Sequence, residues 1–171
     1  MIRPLFVAAA LALAAALPAA APVRAAAPAS LAPVWTAADW INGPASPASV
    51  RGKVVIVDIF TFACYNCKNV TPNLRAINAK YHKDVQILGV HSPETSYEKD
   101  RSNVVTNLKT LGITWPVAID NDFAIWHAYD NEFWPTQLIF DRKGHLRKTV
   151  VGDSQDDAVN AEVSALIAEK P

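Results

Sequence analysis

The chain has 171 residues, with 16 Lys+Arg against 16 Asp+Glu and a formal net charge of zero. That balance gives no support to nucleic-acid or membrane-surface binding. The length suits one domain with a single core, and no internal repeat is visible.

The N-terminus opens with Arg3, runs through an unbroken apolar stretch from Leu5 to Leu17, and continues in small residues. This is the three-part order of a secretory signal peptide, with cleavage expected after Ala25. The alternative is an uncleaved membrane anchor. Pro18 and Pro22 interrupt the uncharged stretch from Pro4 to Val23, and alanine inserts weakly, so cleavage is favoured. No cysteine stands near the cleavage region, which excludes a lipoprotein anchor. Export would place the chain in an oxidising space, periplasmic or otherwise extracytoplasmic. Removal of Arg3 and Arg24 lowers Lys+Arg from 16 to 14 against 16 acidic residues. The expected division is a signal peptide over 1–25, an N-terminal extension over 26–50, and the main domain over 51–171.

The extension is rich in Pro, Ala and Ser, with Trp35 and Trp40 as anchors that tuck an extended segment or small hairpin onto the main body. Lys53 to Phe60 is a buried strand by its length and β-branched run. Tyr65 to His82 reads as a helix, with Val70, Leu74, Ile77 and Tyr81 at spacings of four, three and four. Val85 to Val90 is a second buried strand. Glu98 to Leu111 is predicted as one helix, with Val104, Val105, Leu108 and Leu111 on a shared face and Gly112 ending it. Pro116 to Ile119 is a short strand and Phe123 to Tyr129 a helical turn. Thr136 to Phe140 and Leu146 to Val151 form a hairpin through Asp141-Arg142-Lys143-Gly144. A helix from about Gln155 to Glu169 closes the chain. The order predicts an α/β domain, a mixed sheet covered by helices on both faces.

The chemistry concentrates at Cys64-Tyr65-Asn66-Cys67, which joins the first buried strand to the first helix. On the first turn of a helix a cysteine feels the partial positive charge of unpaired N–H groups, which favours thiolate. A second cysteine three residues on shares the helix face and can close a short disulfide. So short a loop adds little stability by entropy, so the pair suits electron exchange better than stapling. Half of a zinc site is the bland alternative, but zinc wants four ligands and no second CxxC or HxxxH exists. The four histidines, His82, His91, His127 and His145, read as scattered surface or capping residues. His91 alone is brought by strand pairing to the sheet edge that carries Cys64.

Four further features sit at informative offsets. Asp58 lies six residues before Cys64 inside an apolar strand, where burial should raise its pKa and let it hold or pass a proton. Pro72 falls mid-helix, five residues after Cys67, and removes a backbone hydrogen bond. Trp134-Pro135-Thr136 precedes the hairpin, and Gly152 follows its last strand. Together with the CxxC these resemble the thioredoxin superfamily, whose cis-proline loop faces the active site. Within it, the blocks Val55–Cys67, Gly89-Val90-His91-Ser92-Pro93-Glu94, Glu98-Lys99-Asp100 and Ala118–Asp122 resemble the exported TlpA/DipZ-like proteins. The likeness covers about Trp40 to Ile167 and implies a thioredoxin-like fold with an insertion, Asp120 to Phe133, before the cis-proline. Ala63 and Asn66 depart from the Trp and Pro common in relatives at two positions that help set redox potential.

The resemblance implies that Cys64 attacks a partner disulfide and that Cys67 resolves the mixed disulfide once Asp58 takes its proton. Trp134 and Pro135 would bind the partner chain. It implies protein disulfide substrates, a reducing direction with electrons from a membrane thiol carrier, and no cofactor or metal. Two rivals come from the same residues. Thr61-Phe62-Ala63-Cys64 echoes the Thr-x-x-Cys of peroxiredoxins, although their proline would fall at Val57. Cys64, Cys67 and His91 could instead bind Cu(I) in a non-catalytic thioredoxin-like module.

Overall fold

The computed structural model describes residues 30–169, so the expected leader lies outside the described residues. The architecture is a six-stranded mixed sheet in the order β1-β4-β3-β2-β5-β6. At its centre is β2 (Val54–Phe60), buried at all seven positions, because it carries helices or loops on both faces and a strand at each side. It runs parallel to β3 (Val85–His91), in register from Val54 opposite Val85 to Phe60 opposite His91. It runs antiparallel to β5 (Thr136–Phe140), which forms a hairpin with β6 (Leu146–Val151). Strand β4 (Val117–Ile119) extends the parallel part, and β1 (Trp40–Ile41) pairs antiparallel with it as an edge.

Strand alternation sorts β2 into two cores. Val54, Ile56 and Phe60 join Leu74 and Ile77 of α1 (Tyr65–Tyr81), Val104 and Leu108 of α2 (Arg101–Leu111), and Val159, Val163 and Leu166 of α4 (Asp156–Ala168). Val55, Val57 and Ile59 face the opposite way, against Leu31, Val34 and α3 (Ala124–Ala128), which supplies Ile125 and Trp126. Trp35 and Trp40 pack half-buried on this second core, as anticipated, but the fully seated anchor is Val34 on a short 3₁₀ turn, Ala32–Thr36. The Pro and Ala content of that segment hid an anchor that β-branching alone would have suggested.

One predicted helix is two elements. Between Glu98 and Arg101 the chain leaves helical geometry at Asp100 (φ −71°, ψ 119°), whose carboxylate accepts from the Ser102 and Asn103 N–H groups and starts α2 afresh. Ser96–Lys99 is a separate 3₁₀ turn, closed by a capping box between Thr95 and Glu98. Val104 and Leu108 are buried, while Val105, expected beside them, is 39% exposed. Gly112 ends the helix at φ 67°, its N–H reaching the Leu108 and Lys109 carbonyls.

Candidate active site

At the carboxyl end of β2 the turn Thr61–Ala63 delivers Cys64 to the N-cap of α1. Its backbone is extended (φ −59°, ψ 124°), and the Cys67 N–H donates to its Sγ at 3.3 Å. That sulfur therefore does what a Ser or Asp oxygen does at an N-cap, accepting from an otherwise unpaired donor. Cys64 is half-buried and Cys67, one turn on, is 2% exposed; both are free thiols. A hydrogen bond from the Cys67 thiol brings Cys64 down to about 7, helped by the Cys67 and Asn66 N–H groups and opposed by partial burial and by Glu94. The same thiol–sulfur bond, together with burial, pushes Cys67 above its ordinary range. At neutral pH the outer sulfur is substantially thiolate and the inner one holds its proton.

Asp58 stands on the face of β2 that bears Ile56 and Phe60, the face covered by α1 and Cys67. It is 2% exposed, and burial pushes its carboxyl up to about 7. A hydrogen bond from Gln137 works against that rise, and the Cys64 charge adds to it. Asp58 in turn raises Cys67, so the three groups lie within electrostatic reach of one another. Oδ1 of Asp58 has no hydrogen-bond partner among the described residues. Gln137 lies opposite Asp58 across the β2–β5 ladder and is itself 3% exposed. Sequence inspection passed over it, although a lone amide in the apolar run Thr136–Phe140 carries the same signal as Asp58 in β2.

The Trp134–Pro135 peptide bond is cis. The Pro135 carbonyl accepts from the Gly152 N–H at 2.8 Å, which ties the loop to the end of β6. Trp134 is half-buried: its indole N–H donates to the Ser92 carbonyl at 3.0 Å and its ring lies 4.2 Å from that of Trp126. Much of this side chain is thus structural, and Phe133 beside it, 58% exposed, offers the more open apolar surface.

His91 is not a surface or capping residue. It is fully buried, with its ring stacked on Phe62 at 5.4 Å and edge-on to Phe60 at 5.5 Å. The Phe62 N–H donates to Nε2 at 3.4 Å, and burial lowers its pKa to about 4. His82, His127 and His145 are exposed, as anticipated. Among the described residues no group of three or more His, Cys, Asp or Glu side chains is placed to hold a metal ion, so Cys64, Cys67 and His91 are not drawn together as a three-ligand set. The hydroxyl of Thr61 donates to Glu98 and lies 3.3 Å from His91 Nε2. Glu98 itself is fully buried and was read from the sequence as a helix start and as part of the block Glu98-Lys99-Asp100, with no role of its own. The pattern Thr95-x-x-Glu98 was the signal available for it.

The AhpC/TSA family model matches residues 28–149. Protein DipZ of Mycobacterium tuberculosis is 32% identical over 133 residues, 75% of this chain and 19% of that protein. The chain therefore spans about a fifth of the DipZ length. The thiol-disulfide oxidoreductase YkuV of Bacillus subtilis is 27% identical over 131 residues, 76% of this chain and 88% of YkuV. Among solved structures, a thioredoxin-like protein in its oxidised form superposes with a TM-score of 0.71 at 26% identity, covering 77% of this chain and 90% of the other. The thioredoxin-like α/β fold expected from the motifs is the fold observed.

Proposed function

The chain belongs to the AhpC/TSA family, and we propose that within it this protein works as an exported thiol–disulfide oxidoreductase that reduces protein disulfides. The Cys64 thiolate attacks one sulfur of a partner disulfide, forming a mixed disulfide and releasing the other partner sulfur as thiolate. Asp58, part-ionised near neutrality, accepts the Cys67 proton, directly or through water. The Cys67 thiolate then attacks Cys64, releasing the second partner thiol and leaving the Cys64–Cys67 disulfide. Two electrons have passed to the partner. A membrane thiol carrier restores the dithiol by the reverse chemistry. Trp134 packs on the same core cluster as Cys64, and in this reading it and Pro135 meet the partner chain, with Phe133 as a further apolar contact.

The observation that supports this best is the unequal setting of two thiols three residues apart: Cys64 is half-buried at the N-cap of α1 and accepts the Cys67 N–H at 3.3 Å, while Cys67, one turn on, is 2% exposed. A stapling disulfide needs no such asymmetry; a nucleophile and its resolving partner do. Export is supported by the apolar N-terminal run after Arg3. Peroxide reduction is the less favoured chemistry, because the Thr61 hydroxyl is committed to Glu98 and Val57 stands where peroxiredoxins carry proline. Turnover of a protein disulfide and of hydrogen peroxide should be measured side by side, with a dithiol as reductant. Disulfide turnover abolished by Cys64→Ser supports the assignment. Peroxide consumption exceeding it, with the same dependence on Cys64, overturns it.

A further inference from the structure

The buried carboxylate of Glu98 takes no part in the exchange chemistry, yet five hydrogen bonds converge on it. Oε1 accepts from the Thr61 hydroxyl and from the Ala63 N–H at 3.3 Å. Oε2 accepts from the Glu94 N–H at 3.1 Å, the Thr95 N–H at 2.8 Å and the Thr95 hydroxyl at 2.9 Å. The first set belongs to the turn that ends at Cys64, the second to the loop that follows β3. On the same turn, the Phe62 N–H between those two donors is held by His91. The three residues preceding the nucleophile are therefore each fixed by a buried side chain from the segment 91–98.

We propose that Glu98 is a positioning residue for Cys64: its carboxylate clasps the Thr61–Ala63 turn to the Glu94–Thr95 loop and so holds the Cys64 sulfur where the donors of α1 reach it. The inference rests on Cys64 being the exchanging nucleophile. Only a carboxylate satisfies the site, because every partner of both oxygens is a donor. A glutamine amide turned toward Thr61 would orphan the Ala63 N–H, and one turned toward Thr95 would orphan two backbone N–H groups. With the turn released, the Cys67 N–H and thiol lose their aim at Cys64 Sγ. The charged and titratable groups acting on that sulfur are Cys67, Glu94 and Asp58; Glu98 acts through the backbone rather than as one of them.

The test is iodoacetamide alkylation of Cys64 in the reduced full chain as a function of pH, located by peptide mass, for wild type, Glu98→Gln, Thr61→Val and Thr61→Ser. Thr61→Val removes one hydroxyl and almost no volume, so it serves where the glutamine variant fails to fold. Glu98→Gln and Thr61→Val should move the titration midpoint upward, slowing labelling at pH 7 by about tenfold per unit moved. Their rates should rejoin wild type once all thiols are ionised. Thr61→Ser, which keeps the hydroxyl, should restore the wild-type profile. Coincident profiles for folded Thr61→Val and wild type, with Cys64 still labelled before Cys67, would remove the positioning role alone. Labelling of Cys67 first in wild type would remove both this role and the exchange assignment.

Discussion

Replacing Asp58 by Asn tests the protonation of the site through stability, independently of any substrate. The native pKa of about 7 exceeds the unperturbed 3.8, so between those values the folded state binds a proton that the unfolded state does not. Unfolding free energy therefore falls as pH rises, by about 1.4 kcal/mol per unit. Integrated over about three units, the buried charge costs the reduced wild type on the order of 4 kcal/mol above pH 7, against almost nothing below pH 4. Asn cannot ionise, so the variant escapes the whole of that loss. Urea unfolding of both chains in the presence of a reductant, at pH values from 4 to 9, should show Asp58→Asn gaining on wild type steadily from pH 4 to 7 and holding its lead above. The lead should shrink in the disulfide form, where Cys64 carries no charge to raise Asp58. A stability difference that does not change with pH would refute the assignment, since it would mean that Asp58 keeps an ordinary carboxylate pKa despite its burial.

His91 opposes this trend. Its pKa of about 4 lies below the unperturbed 6.5, so its contribution is complete above 6.5 and is lost as pH falls toward 4. In wild type the two slopes offset each other across that window; in Asp58→Asn the His91 slope should stand alone, stability rising by about 1.4 kcal/mol per unit from pH 4 to 6.5. Cys67→Ser should accumulate a reducible adduct through Cys64 when offered a protein disulfide; an adduct that clears as fast as in wild type would mean that Cys67 does not resolve. Asp58→Asn should slow that resolving step at neutral pH, and unchanged kinetics across pH would reduce Asp58 to a structural role. Gly89→Ala should cost about 1–3 kcal/mol by overpacking, because a Cβ there would meet Val117 Cγ2 at 2.9 Å and Phe60 Cε1 at 3.1 Å; a neutral effect in urea unfolding would show that β4 yields easily.

The strands and the outer helices were legible because their hydrophobic periods are unambiguous. Thr136–Phe140 and Leu146–Val151 are found as expected, and α1 and α4 within a residue or so at each end. Cys64, Cys67 and Asp58 stood out for a different reason, a paired cysteine motif at a helix start and a carboxylate inside an apolar strand, and the structure brings the three within electrostatic reach of one another. What escaped was polar and long-range. Gln137 faces a strand 79 residues away in sequence, which periodicity within one segment does not register, and His91 was placed at the right sheet edge but not expected to be buried. The split at Asp100 escaped because Asp and Glu suit the first turn of a helix, so a single longer helix and a turn followed by a fresh N-cap share one sequence pattern. Only the inward commitment of Glu98 distinguishes them.

Asp58 and Glu98 make the same point from opposite sides. Both carboxyl groups are sealed from solvent, at 2% and 0% exposure. Burial works to raise both, yet Asp58 rises to about 7 while Glu98 is held below its ordinary range, because donors from Thr61, Thr95 and Ala63 converge on it. A buried carboxylate with every lone pair engaged has no reason to take a proton and behaves as a fixed anchor. One with an unpartnered oxygen beside two thiols sits poised between its two forms at neutral pH. Burial sets the scale of the shift; the number of donors decides whether the group becomes a brace or a proton carrier. In this fold the fully engaged carboxylate stands on the segment after β3 and bonds the turn that presents Cys64, while the one with an unpartnered oxygen stands on β2.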